Sequence, residues 1–159
     1  MGLDMYLYAR RYTSPYVDED HYKKIAELQL AFPGNPESFE VKAQVAYWRK
    51  VNAVHGWFVR NVANGEDDCR PAYVAVEQLR ELRELCTELL KKRDPKEAAE
   101  KLPVVDGFMF GGTGYDEWYW QGVEDTVEQL GAILVWDELR AHALGSHYSD
   151  VDYLYEASW

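Results

Sequence analysis

Leu3, Met5 and Leu7 alternate with Asp4, Tyr6 and Tyr8, a period of two that predicts a strand over Leu3–Ala9 with one face wet. The chain closes on a second alternation, Val151, Tyr153, Tyr155 and Ala157 against Asp152, Leu154 and Glu156. Gly107-Phe108-Met109-Phe110 before Gly111-Gly112 reads as a short aromatic strand ending in a turn. Cys69–Val74 reads as another strand, which Pro71 confines to an edge. Helical periods lie between these. A first helix is expected over Asp18–Ala31, stopped by Phe32-Pro33-Gly34-Asn35-Pro36. A second is expected over Phe39–Asn64, with Val41, Val45, Trp48, Val51, His55, Phe58 and Val62 on one side and a left-handed stop at Asn64-Gly65. A third runs over Val76–Arg93 through Leu79, Leu82, Cys86, Leu89 and Leu90, with Lys91, Lys92 and Arg93 complementing the dipole at its end. A short piece, Pro95–Lys101, follows, and the last long helix spans Asp116 to Arg140. This order predicts a single α+β domain over residues 1–159. Its small antiparallel sheet includes both terminal strands as neighbours, covered by the Phe39–Asn64 helix.

The 159 residues are 47% hydrophobic and 14% aromatic, enough to fill one core, and no repeat or linker interrupts them. The N-terminus has no pattern of a signal peptide, and no apolar run approaches the length of a membrane span. Cys69 and Cys86 lack the spacing of a zinc or redox pair, so the expected compartment is a reduced cytoplasm.

Charge changes this picture most. From Leu102 to Trp159 there are eleven carboxylates, and Arg140 is the only basic residue. The same stretch holds 11 of the 23 aromatics, among them Trp118, Trp120, Trp136 and Trp159. A surface both acidic and aromatic repels phosphate backbones and anionic membranes and suits a basic protein partner. On the last helix Val123, Val127, Leu130 and Leu134 form an apolar face. Glu117, Gln121, Glu124 and Glu128, with Asp125 beside them, form a separate stripe. Carboxylates at successive turns, roughly 5.4 Å apart along the axis, can imitate the phosphates of a nucleic acid strand. An ordinary solvated face has the same composition.

A second candidate lies on the expected Phe39–Asn64 helix. His55 falls inside its apolar arc and Asn52 at the edge, next to Trp48. With Tyr115 they could line a pocket between helix and sheet, His55 serving as a general base or ligand anchor. The plainer reading makes His55 a core side chain bonded to a carbonyl or hydroxyl of the sheet. Arg49, Lys50, Trp57 and Arg60 would form an exposed basic face opposite, able to meet the acidic helix of another copy, so a homo-oligomer stays open. Gly111, Gly112 and Gly114 before a helix suggest a phosphate cradle, but Asp116 and Glu117 would repel the anion. A tight turn with Thr113 capping the helix is the better account. His142 and His147, with Asp150 and Asp152 behind them, are poorly spaced for a metal. The sequence calls for no metal or cofactor and shows no catalytic motif.

The opening MGLDMYLY, the central YWRKVNAVHGWFVRNVANGEDDC, the segment FMFGGTGYDEWY and the closing DYLYEASW together resemble a family of small bacteriophage and prophage proteins. That resemblance implies a phage origin and action in the host cytoplasm; it carries over no activity and no catalytic residue. Two function classes follow. One is a non-catalytic interaction protein whose acidic aromatic face engages a host protein with a basic surface, such as a nucleic-acid-binding defence component, without contacting nucleic acid or membrane itself. The other is a small enzyme or ligand-binding domain built around Trp48, Asn52, His55 and Tyr115.

Overall fold

A computed structural model describes residues 2–27, 36–145 and 150–159. Its elements in chain order are β1 (Asp4–Thr13), α1 (Glu19–Glu27), β2 (Phe39–Arg49), α2 (Asn52–Asn61), β3 (Ala72–Val74), α3 (Val76–Lys92), α4 (Pro95–Lys101), α5 (Glu117–Ala143) and β4 (Asp152–Ser158). The four strands form one antiparallel sheet in the order β2-β1-β4-β3. The chain is therefore α+β, and the first and last strands are neighbours, Asp4 lying opposite Ser158.

The alternation in β1 is what seats it. Met5 and Leu7, with Leu3 just before them, are wholly buried on the helix-covered face. Asp4, Tyr6 and Tyr8 point the other way. Val54 and Phe58 of α2, Leu79 and Leu82 of α3, and Val123 and Leu130 of α5 close over that face. Phe58 stacks on Tyr155 of β4 with ring centroids 4.0 Å apart and an interplanar angle of 8°. Removing this much apolar surface from water is the main driving force of the fold. Among the described residues no helix is long and apolar enough to cross a membrane.

Several sequence expectations need correction. The single helix expected over Phe39–Asn64 is a strand, β2, followed after Lys50 by the short helix α2. Lys50 takes a left-handed φ of 58°, which turns the chain sharply between them. The terminal strands are thus covered by α2 with α3 and α5, not by a long second helix. Nor do Arg49, Lys50, Trp57 and Arg60 share one exposed helix face: Trp57 is buried at 6% exposure, and Arg49 belongs to β2. Asn64 and Gly65 do adopt left-handed φ values of 55° and 81° just past α2, and the Gly65 amide donates to the Val59 carbonyl at 2.8 Å. Gly107–Phe110 is a turn, not a strand. Gly107 permits it, since a Cβ there would stand 2.6 Å from the Phe110 ring. Of the expected Cys69–Val74 strand only Ala72–Val74 forms, at the sheet edge as Pro71 requires. Thr113 does not cap α5; the cap is Asp116, whose carboxylate accepts from the amides of Trp118 and Tyr119. The helix expected over Asp18–Ala31 is seen as Glu19–Glu27. Its remainder and most of the Phe32–Pro36 stop lie outside the described residues, as does His147.

Candidate functional site

The acidic stripe lies on the first half of α5, as the wheel predicts. The buried side is Val123, Thr126 and Leu130, and Glu117, Asp125 and Glu128 are exposed. The stripe is not purely solvated. Arg93, at the left-handed C-cap of α3, pairs with Glu124 and stands 3.8 Å from Glu117. Gln121 donates to Asp125 at 2.9 Å. All these pairs are exposed, so each contributes little to stability and can be exchanged for a partner's cation at small cost.

Next to the stripe the surface turns aromatic. Trp118, in the first turn of α5, is 85% exposed, and Phe108 in the preceding turn is 86% exposed. Met109 at 49% and Trp159 at 51% add to them. The segment carrying Phe108 and Met109 lies across the start of β1, where the Leu3 amide donates to the Met109 carbonyl. Gly111, at φ 105°, passes so close to Lys50 that a Cβ would stand 3.0 Å from its carbonyl oxygen. Trp118 and Gly112 flank the same Lys50 across a crevice of about 100 Å³. Large apolar side chains left this exposed, with Asp106, Asp116 and Glu117 close to them along the chain, suit a docking surface.

Of the four residues expected to line a pocket, Asn52, Tyr115 and His55 contact the segment that carries this display, and Trp48 does not. Asn52 donates through Nδ2 to the carbonyl of Gly112 at 2.9 Å and of Phe110 at 3.4 Å, while its Oδ1 accepts from the Val105 amide at 3.3 Å. The Tyr115 hydroxyl accepts from the Val104 amide at 3.3 Å. Trp48 is buried at 2% exposure, 6.0 Å from the Phe58 ring, and its indole nitrogen has no acceptor among the described residues. Asn52 alone of the four borders the crevice beside Lys50.

His55 is 1% exposed, with Phe110 packed edge-on against its ring at 5.2 Å. Its Nδ1 lies 2.8 Å from the Tyr155 hydroxyl and its Nε2 3.0 Å from Asp67 Oδ2. Asp67 also accepts from the Trp159 indole at 3.1 Å. A carboxylate can only accept, so Nε2 carries the proton and Nδ1 accepts from Tyr155. Burial, and secondarily the charge of Asp67, push the Tyr155 hydroxyl well above its ordinary range, so it stays protonated and donates. Both imidazole nitrogens are thereby taken. The arrangement links β4, α2, the Asp67 turn and Trp159 in one hydrogen-bonded chain, buried at His55 and Tyr155 and open at Trp159, and leaves His55 no free nitrogen for a substrate. The plainer sequence reading, a core histidine bonded to a hydroxyl of the sheet, describes it.

Sequence reasoning missed the open face of the sheet. Tyr6, Tyr8, Tyr12, Tyr47 and Tyr73 cluster there, Tyr6 stacking with Tyr8 at 6.0 Å and tilting on Tyr47 at 5.4 Å. The signal was the shared parity of Tyr6, Tyr8 and Tyr12 along one strand. The cations on this face are already engaged: Arg10 with Asp152 at 2.9 Å and Glu40 at 3.6 Å, Lys42 with Glu156 at 3.2 Å and over the Tyr8 ring. His142 is exposed in the last turn of α5, and no group of three or more metal-ligating side chains converges among the described residues.

Comparison of the chain with protein-family models, curated proteins and solved structures finds no match to any of them.

Proposed function

We propose that this protein is a non-catalytic interaction protein that docks on a basic protein surface through the first half of α5 and the aromatic turn beside it. The observation that carries the reading is the display of Trp118 and Phe108, 85% and 86% exposed, beside the carboxylates of Glu117, Asp125 and Glu128. Exposed aromatics provide apolar anchors, and the surrounding carboxylates give orientation and association rate. Asn52, His55 and Tyr115 serve it indirectly, by fixing the backbone that presents the turn. The resemblance to phage proteins makes the partner a host factor, and the spacing of carboxylates along α5 suits one that binds nucleic acid, which the protein would inhibit by occupying its basic surface. An enzyme centred on His55 is the weaker reading, because that imidazole is buried with both nitrogens engaged.

The test is affinity capture from host extract with the wild-type chain, with a Glu117→Lys, Glu124→Lys, Glu128→Lys triple variant, and with Trp118→Ala. A basic partner should be retained by wild type, be lost with either variant, and weaken as salt rises to physiological strength and shortens the Debye length. Exposed substitutions of this kind should leave the thermal transition within about 0.5 kcal/mol per site. Equal capture by the folded triple variant at every salt concentration would refute the assignment.

A further inference from the structure

β2 is an edge strand, bonded to β1 alone, and from Glu40 to Val45 every one of its residues is exposed. Its two ends are treated differently. At Tyr47 the edge is closed from above by α5: Gln129 accepts from the Tyr47 amide at 2.8 Å and donates to its carbonyl at 3.1 Å. These are the two bonds a neighbouring strand would make, supplied by one side-chain amide. Among the described residues, the half of the edge before Tyr47 has no such cover. On the same face, between β1, β2 and the second half of α5, lies a groove of about 480 Å³ lined by Val41, Ala43, Val45, Ile133 and Trp136. A bare edge with unpaired backbone groups and an apolar trough beside it is a site for strand addition.

We infer that the occupant is β2 of a second copy, paired antiparallel about a two-fold axis through Val41. The strand's own charges favour that register, adding a cross-copy partner to Glu40 and Lys42, which within one copy meet Arg10 and Glu156. Centred on Val41, each Glu40 faces Lys42 of the other copy, and each Phe39 faces Ala43 on the groove side. Centring on Lys42 would set two ammonium groups opposite each other, and centring on Glu40 two carboxylates; like charges directly opposite destabilise a strand pair. Centring on Ala43 would run Phe39 against Tyr47, where Gln129 already holds the edge. A shift by one residue would turn the groove face of the second copy outward. Only the Val41 register combines opposed charges, matched apolar faces and the free part of the edge. The joint makes one sheet continuous across two copies, a closed isologous dimer. Trp136, 48% exposed and lining the groove, stands beside it to be covered. This assembly does not rest on the basic-partner reading, and its test leaves the acidic residues of α5 untouched.

The experiment is sedimentation of the full chain over a range of concentrations, with Val41→Lys as the disrupting variant. Val41 is 46% exposed in one copy, so the lysine should leave the fold and its thermal transition intact while placing two charges on the axis. Wild type should dimerise, and Val41→Lys should weaken association by roughly 100-fold or more. A second measurement guards against a variant that fails to fold. In a Cys69→Ser background, Val41→Cys should form an intermolecular disulfide under mild oxidation, because each copy's residue 41 faces its own twin. Gln44→Cys in the same background should not. A wild type that stays monomeric at the highest concentrations, a dimer unaffected by the lysine, or cross-linking at residue 44 in place of 41 would each overturn the proposal.

Discussion

Replacing His55 with Ala tests the hydrogen-bonded chain directly. The imidazole is 1% exposed and accepts from Tyr155, itself only 3% exposed, at 2.8 Å. Removing it leaves that hydroxyl buried without an acceptor, which costs about 1–3 kcal/mol. Lost packing against Phe110 and the void left by the ring add roughly 1–2 kcal/mol. Asp67 adds little, since its side chain is 31% exposed and keeps the Trp159 indole. The sum is about 3 kcal/mol, which in a chain of this size lowers the melting temperature by roughly 6–12 °C. Tyr155→Phe orphans only Nδ1 and should cost about 1–2 kcal/mol. In the double variant the orphaned hydroxyl and the orphaned nitrogen vanish together, so its loss should fall short of the sum of the singles by about 1–2 kcal/mol. Thermal and urea denaturation of the four proteins measure this. An unchanged melting temperature for His55→Ala, or strict additivity in the cycle, would show that the imidazole is not committed to Tyr155.

Two further outcomes follow from burial. Tyr119, Tyr153 and Tyr155 are all pushed above the ordinary tyrosine value of 10.0 chiefly by burial. The folded state thus holds their protons more tightly than the unfolded one; that stability is complete below pH 10 and is lost as pH rises beyond it. A step in tyrosinate absorbance should coincide with unfolding seen by circular dichroism, and complete ionisation before any loss of structure would contradict it. Cys86 is buried among Leu79, Leu82 and Leu89, which pushes its thiol up to about 12, whereas Cys69 is exposed. A thiol reagent at neutral pH should therefore modify one cysteine in the native protein and both in denaturant, with equal native reactivity as the contrary result.

Much of the fold was legible because most elements obey one period throughout. β1, β4, α3, α4 and α5 do so, and their positions follow from the sequence to within a few residues. β2 does not. Its register slips against β1 between Leu7 and Tyr8, where Val45 is the extra residue. On the helix-covered side it presents Phe39, Val41 and Ala43 before the bulge, then Ala46 and Trp48 after it. Skipping a residue turns a period of two into spacings that imitate a helix, and Val41, Val45 and Trp48 fit such a helix well. Its density of β-branched and aromatic residues was the signal that favoured a strand. The stripe on α5 was readable from the wheel, but Arg93 was not, because its approach to Glu124 depends on how α3 packs beside α5. The role of Asn52 was hidden for the same reason: its acceptors, Phe110 and Gly112, are distant in sequence.

The pairing of Asp4 with Ser158 also has a cost measured in time. At roughly 5–20 residues per second, synthesis of β4 follows that of β1 by on the order of 10 s. β2 emerges early and can join one side of β1, but the other side is reserved for the last strand. Through that interval β1 presents an unpaired ladder along the side that β4 will take, and β3 has nothing to bind. The centre of the sheet is completed last, so the nascent chain must be kept from pairing with its neighbours until β4 arrives.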